Sequence, residues 1–231
     1  MTVLRSILFI LFLALVTSVL GLGFFPLTFM GPDAARPIVK LWSKSLLFAA
    51  RFLCGVRFRI EGAENIPEGG ALIAANHQSM WETVALFSLL DKPAVVLKKE
   101  LLRIPVYGWW AKRNAITIDR GSGAKAIRTL KKETCERLKR GEQIVIFPEG
   151  TRGPPGELGD LQPGVAAMYM AVNEPVIPAV HNSGRYWKHP GPIKIPGTIT
   201  LRFLQEIPAG LPRDKFMNTL KTALSTNVES N

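Results

Sequence analysis

Cysteine is scarce in this chain: Cys54 and Cys135 are the only two in 231 residues. Two distant thiols outside any metal-type spacing exclude a disulfide framework, fit a reducing compartment and read as packed side chains. Histidine is nearly as scarce, with only His77, His181 and His189. A zinc site built from His and Cys is therefore not expected, and no metal is assigned. Acidic residues also fall short: 18 Asp and Glu stand against 29 Lys and Arg, a formal net charge of +11. That deficit calls for an acidic partner, which could be nucleic acid, an anionic membrane or a phosphorylated substrate. No nucleic-acid recognition motif is present, so no nucleic-acid partner is expected. Internal repeats and low-complexity tracts are missing too, which excludes a solenoid. With 47% hydrophobic residues the chain is not disordered.

Charge is absent altogether from Ser6 to Pro32. A helix over residues 7–25 would be about 28 Å long, close to the roughly 30 Å of a hydrocarbon core. Three readings stay open. A secretory signal fits Arg5 ahead of an apolar stretch, but the stretch is overlong and no small-x-small cleavage site follows. A single transmembrane span is the second. The third is a half-inserted helix, because Gly21, Gly23 and Pro26 weaken its far end. Further on, Arg36, Lys40, Lys44 and Arg51 form one basic stripe on a helix, with Val39, Trp42, Leu46, Phe48 and Phe52 among the residues between them. That is the pattern of an interfacial helix with its cations toward anionic head groups, or of an amphipathic helix packed on a core. Residues 1–54 are thus expected to form a membrane-anchoring helical segment, with the Arg36 side cytoplasmic by its basic residues.

From residue 55 to 231 short apolar runs alternate with amphipathic stretches. Residues 56–60, 71–75, 94–97, 115–118, 144–147, 176–180 and 199–203 read as strands, and 79–90, 124–140, 163–172 and 213–224 as helices. The alternation predicts an α/β domain with a mixed, largely parallel sheet flanked by helices. Such sheets bind ligands beyond the carboxyl ends of their strands. Three polar clusters fall in that position: Asn76-His77-Gln78-Ser79, Asp119-Arg120-Gly121 and Pro148-Glu149-Gly150-Thr151-Arg152.

His77 can accept a proton near neutral pH, as activating an alcohol requires, if a carboxylate fixes its second nitrogen. Glu82 is the nearest candidate in sequence, provided His77 sits in the turn and Glu82 in the first helical turn. Glu82 also completes a capping box with Ser79, so a purely structural role is a standing alternative. Arg120 and Arg152, in glycine-containing turns after strands, can hold phosphate oxygens bidentately, and Lys98 and Lys99 add charge at another strand end.

These residues resemble the glycerolipid acyltransferases. Asn76 to Glu82 is similar to that family's His-four-residues-Asp motif, and Ile118-Asp119-Arg120 to its second. Phe147 to Arg152 resembles the third and Val176-Ile177-Pro178-Ala179 the fourth, in order and spacing across about residues 56–205. The subfamily most like it is the bacterial 1-acyl-glycerol-3-phosphate acyltransferases. The resemblance implies His77 as general base and Glu82 as its orienting carboxylate. It implies Arg120 and Arg152 on the acceptor phosphate, Glu149, Gly150 and Thr151 shaping that site, and Pro178 near the acyl donor. Glu82 departs from the usual Asp by one methylene. No bound cofactor is implied: acyl-CoA or acyl carrier protein is the donor substrate, and a lysophospholipid at an anionic membrane the acceptor. Attack is direct, since neither cysteine has an adjacent base. The implied location is the cell (inner) membrane. An acyltransferase for another lysolipid, such as lyso-ornithine lipid, and a non-catalytic anionic-lipid binder remain alternatives.

Overall fold

The computed structural model describes residues 1–229, the side chains of Pro32, Arg120 and residues 227–229 excepted. Two helices come first, α1 (Thr2–Gly23) and α2 (Pro32–Cys54). There follow β1 (Val56–Glu61), β2 (Ala71–Ala75), α3 (Trp81–Leu89), β3 (Pro93–Lys98), α4 (Tyr107–Asn114), β4 (Ala115–Ile118) and α5 (Ala124–Lys139). The chain closes with β5 (Gln143–Ile146), α6 (Pro163–Tyr169), β6 (Val176–His181), β7 (Gly197–Phe203) and α7 (Arg213–Glu229). All seven expected strands form, each within two residues of its expected bounds. Helix α4 is the addition: eight residues with three aromatics and no clear 3.6-residue period carry little sequence signal.

The strands make one sheet in the order β1-β7-β6-β2-β5-β3-β4. Every pairing is parallel except β6 with β7, where Ala179 faces Phe203. Strand β2 lies in the interior of the sheet and is apolar on both faces, as a doubly covered strand must be. Its odd residues Ala71, Ile73 and Ala75 join a core with α2 and α3, while Leu72 and Ala74 join a second core with α5, α6 and α7. The sheet is therefore a middle layer between two helical layers.

Helices α1 and α2 run antiparallel: Cys54 Sγ lies 3.5 Å from the Arg5 carbonyl, and Trp42 Nε1 donates to Thr17 Oγ1 at 2.9 Å. Both belong to the first core. Leu46, Leu47, Ala49, Ala50 and Cys54 of α2 pack there, as does Phe9 of α1, which is fully buried with its ring edge-on to Trp187. Residues 1–54 thus share a core with the α/β part. Burial of Phe9 is a duty that a cleaved leader would not have.

Helix α1 is long and apolar enough to cross a membrane, and only 11% of its most apolar window is buried. It nevertheless lies along the body, tied near its start by Ser6 Oγ accepting from Lys194 N (3.0 Å) and at its end by Trp110 Nε1 donating to the Gly21 carbonyl (3.2 Å). Leu4, Ile7, Leu8, Leu11, Leu15, Val19 and Leu22 face outward along its length.

The basic stripe on α2 is divided by its packing. Arg36 pairs with Asp33 and, at 3.4 Å, with the buried Glu142, and Lys40 approaches Asp91 at 3.6 Å. Arg36 thus serves the fold, whereas the Lys40 pair lies at the surface, with Asp91 exposed. Only Lys44 and Arg51 lie on the exposed side, beside the exposed Leu41, Phe48 and Phe52. The split follows from helix geometry: each four-residue step drifts by about 40°, so Lys44 is rotated about 80° from Arg36.

Candidate active site

The carboxyl ends of β6, β2, β5, β3 and β4 lie along one edge of the sheet, because these strands are mutually parallel and adjacent. The turn after β2 carries His77 and leads into α3. Glu82 Oε1 accepts from Ser79 N (2.8 Å), the glutamate half of the capping box, while Ser79 Oγ accepts from Trp81 N (3.0 Å), one residue short of the Glu82 N–H that the full box would use. The same Glu82 oxygen lies 2.8 Å from His77 Nδ1 and accepts from Gln78 N at 2.9 Å. Capping and orienting are therefore one geometry: the carboxylate that starts α3 also grips the imidazole.

Glu82 Oε2 is held as well, by the hydroxyls of Ser79 (2.7 Å) and Ser183 (2.8 Å). Glu82 is wholly buried, and burial would push its carboxyl up. The His181 ring, the His77 bond and charge and the Ser79 N–H outweigh this and hold it well below the usual carboxylate range. Burial lowers His181 in turn. The His77 ring stacks on Phe147 with centroids 4.2 Å apart. Its Nε2 has no hydrogen-bond partner among the described residues, and the side chain is 15% exposed. A base with one nitrogen fixed and the other open can take a proton from a bound alcohol.

The turn after β5 reaches the same place. Gly150 adopts φ +70°, a left-handed conformation that suits glycine, and closes the turn through Gly150 N to the Phe147 carbonyl at 3.0 Å. Glu149 is buried. Its Oε1 accepts from His77 N (2.7 Å) and its Oε2 from Gly159 N (2.9 Å). Burial raises its carboxyl, against the pull of those two N–H groups. Glu149 thus clamps the His77 backbone. Gly153 N donates to the His77 carbonyl at 2.8 Å, and a Cβ on Gly153 would stand 3.2 Å from Glu149 Oε2, so this close approach favours glycine. Thr151 and Arg152 are exposed at the rim, where Arg152 Nη1 lies 3.4 Å from His189 Nδ1. Partial burial and the charges of Arg152 and His77 lower His189.

Other expected residues lie farther along the edge or inside. Lys98 and Lys99 are exposed at the end of β3, with Lys99 Nζ 3.7 Å from Asp119. The backbone of Arg120 opens a 3-10 turn after β4, two strands beyond β5, and its side chain lies outside the described residues. Pro178 is buried in mid-strand on β6 opposite Ala74, away from the strand ends. Several contributors escaped sequence reasoning: Ser183, His181, Tyr107 and His189. A signal existed for the first two, since His181-Asn182-Ser183 is a further polar cluster at a strand end.

An almost wholly apolar groove, open to solvent, runs between α1, α2, α3 and α4. Leu20, Val39, Trp42, Phe87, Leu97 and Trp110 line it, as does Tyr107. Burial raises the Tyr107 hydroxyl, and the charge of Arg152 opposes that.

Fold and site define an acyltransferase. The family model described as Acyltransferase matches residues 57–182, and the chain belongs to that family of enzymes. Among its relatives, the 1-acyl-sn-glycerol-3-phosphate acyltransferase of Pseudomonas aeruginosa is 39% identical over 198 residues, 84% of this chain and 77% of that protein. The mouse (Mus musculus) 1-acyl-sn-glycerol-3-phosphate acyltransferase alpha is 28% identical over 169 residues, covering 70% of this chain and 59% of its own. The crystal structure of the 1-acyl-sn-glycerophosphate acyltransferase from Thermotoga maritima shares the fold, with a TM-score of 0.78 at 22% identity over 100% of this chain and 98% of that one.

Proposed function

We propose that the protein moves a fatty acyl group from an acyl thioester to the free sn-2 hydroxyl of 1-acyl-glycerol-3-phosphate, giving phosphatidic acid. The observation that carries this reading is the His77–Glu82 pair, with Nδ1 held at 2.8 Å and Nε2 open, beside the cationic rim at Arg152. His77 Nε2 takes the acceptor's hydroxyl proton as its oxygen attacks the thioester carbonyl. Glu82 holds the Nδ1–H tautomer and stabilises the imidazolium. The tetrahedral intermediate collapses, the C–S bond breaks, and the thiolate leaves with the proton returned from His77. Arg152, with Arg120, takes the acceptor phosphate, which suits a guanidinium fork. Lys98 and Lys99 add positive potential from the end of the neighbouring strand β3, Thr151 borders the phosphate site, and Glu149 and Gly150 keep its turn in shape. The apolar groove suits an acyl chain. No bound cofactor takes part, and acyl-CoA or acyl carrier protein serves as donor.

The outward apolar face of α1, continued by Leu41, Phe48 and Phe52 with Lys44 and Arg51, would seat the enzyme in an anionic cytoplasmic leaflet. The test is purified protein with labelled acyl-CoA or acyl carrier protein and vesicles of lysophosphatidic acid, lyso-ornithine lipid or monoacylglycerol. Acylation of lysophosphatidic acid is expected to dominate. Transfer confined to either of the other acceptors would overturn the assignment.

A further inference from the structure

Starting α3 needs only Glu82 Oε1, yet the second oxygen is held just as firmly. Oε2 and the hydroxyl oxygens of Ser79 and Ser183 form a closed triangle, with edges of 2.7, 2.8 and 2.8 Å. Ser79 is local, whereas Ser183 comes from the turn after β6, 101 positions from Glu82. That turn is fixed by a latch between strand ends. Asn76 Oδ1 accepts from His181 N (2.9 Å), Asn76 Nδ2 donates to the His181 carbonyl (3.0 Å), and His181 Nε2 donates to the Asn76 carbonyl (2.7 Å). Donation to a carbonyl puts the proton on Nε2 and leaves Nδ1 bare toward Ser183 N, 3.4 Å away. Ser79, Glu82, His181 and Ser183 are all fully buried.

We propose that Ser183 is a positioning residue for acyl transfer: its hydroxyl pins Glu82 Oε2, so that Oε1 stays on His77 Nδ1. This rests on the reading of His77 as base. The last torsion of a glutamate is soft, so a carboxylate held at one oxygen can twist. Ser79 restrains Oε2 from within the same turn, and a hydroxyl brought in from β6 adds a second restraint anchored outside it. The methylene that glutamate has over aspartate carries the carboxylate toward this second anchor. The His181 ring spends its hydrogen bonds on the Asn76 carbonyl and the Ser183 N–H, not on Glu82.

The test uses the full chain with lysophosphatidic acid and an acyl thioester. Ser183→Ala should lower kcat about tenfold, the loss of one charge-assisted hydrogen bond, with each KM moving less than about threefold. In the Glu82→Gln background the same substitution should cost little more, since residues acting through one group are non-additive. Melting curves check the fold of every variant. If Ser183→Ala does not fold, Ser183→Cys, which keeps most of the shape and loses the strong donor, is measured in the same way. Parental kcat in the folded Ser183 variant, or the same fold-loss with and without Glu82→Gln, overturns the proposal and leaves the reading of His77 standing. Full activity in a folded His77→Ala, or no transfer by the parent, overturns that reading instead.

Discussion

Glu82→Gln separates the charge of the buried carboxylate from its shape. A glutamine fits the same space: its carbonyl can take the place of Oε1, accepting from His77 Nδ1, Gln78 N and Ser79 N, and its amide can face the Ser79 and Ser183 hydroxyls, which turn to accept. The helix start therefore survives while the stabilisation of imidazolium is lost. Opposite charges about 4 Å apart at an effective dielectric near 20 attract by about 4 kcal/mol, roughly a 10³-fold effect. A general base supplies about 10²–10⁴-fold in all, so the loss stays inside that range. The expected result is a kcat lower by about 10²–10³, KM for both substrates nearly unchanged, and a melting temperature lower by only a few degrees. The assay is steady-state transfer from an acyl thioester to lysophosphatidic acid in vesicles, paired with thermal unfolding. A folded Gln variant with parental kcat would refute the reasoning and leave Glu82 as a cap alone.

Glu82→Asp draws the carboxylate back by about 1.5 Å, too far to keep both Ser183 and His77, so kcat should fall about tenfold; full activity would show that the backbone follows. Arg152→Ala should raise the acceptor KM about 10–150-fold, the worth of a charge-assisted bidentate contact, and leave the donor KM alone. Equal impairment with an acceptor lacking phosphate would make Arg152 structural. Stability should also depend on acid: the folded-state value of Glu82 lies below its unfolded one, so its contribution is present above about 4.5 and lost as pH falls below that. The melting temperature of Glu82→Gln should accordingly vary less with pH there than the parent's. Finally, Phe48→Ser with Phe52→Ser, both exposed on α2, should weaken recovery on anionic vesicles and spare the fold. Unchanged recovery would place attachment elsewhere. Deleting residues 1–53 would not test this, because it strips Phe9, Leu46, Leu47 and Ala50 from the core.

Local pattern was enough for the strands, the cap and the strand-end clusters. An apolar run such as Ile144–Val145 or a Ser79–Glu82 box carries its own instruction, because backbone pairing and capping act over a few residues. It also brought His77 and Glu82 together, since five residues span the turn. Pattern could not say what covers an apolar face or answers a charge. The stripe on α2 has the same spacing whether Arg36 meets a head group or Glu142; only the packing of α2 against the sheet chose Glu142. The apolar α1 would suit a span, and its ties at Ser6 and Gly21 laid it along the body. The resemblance puts Glu149 among the residues shaping the phosphate site, but only chain reversal after β5 shows how, by aiming both its oxygens at backbone N–H groups. Ser183 became part of the site only because β6 lies beside β2 in the sheet. Contacts between residues a hundred positions apart are set by strand order, and strand order follows from how the whole chain buries its two cores.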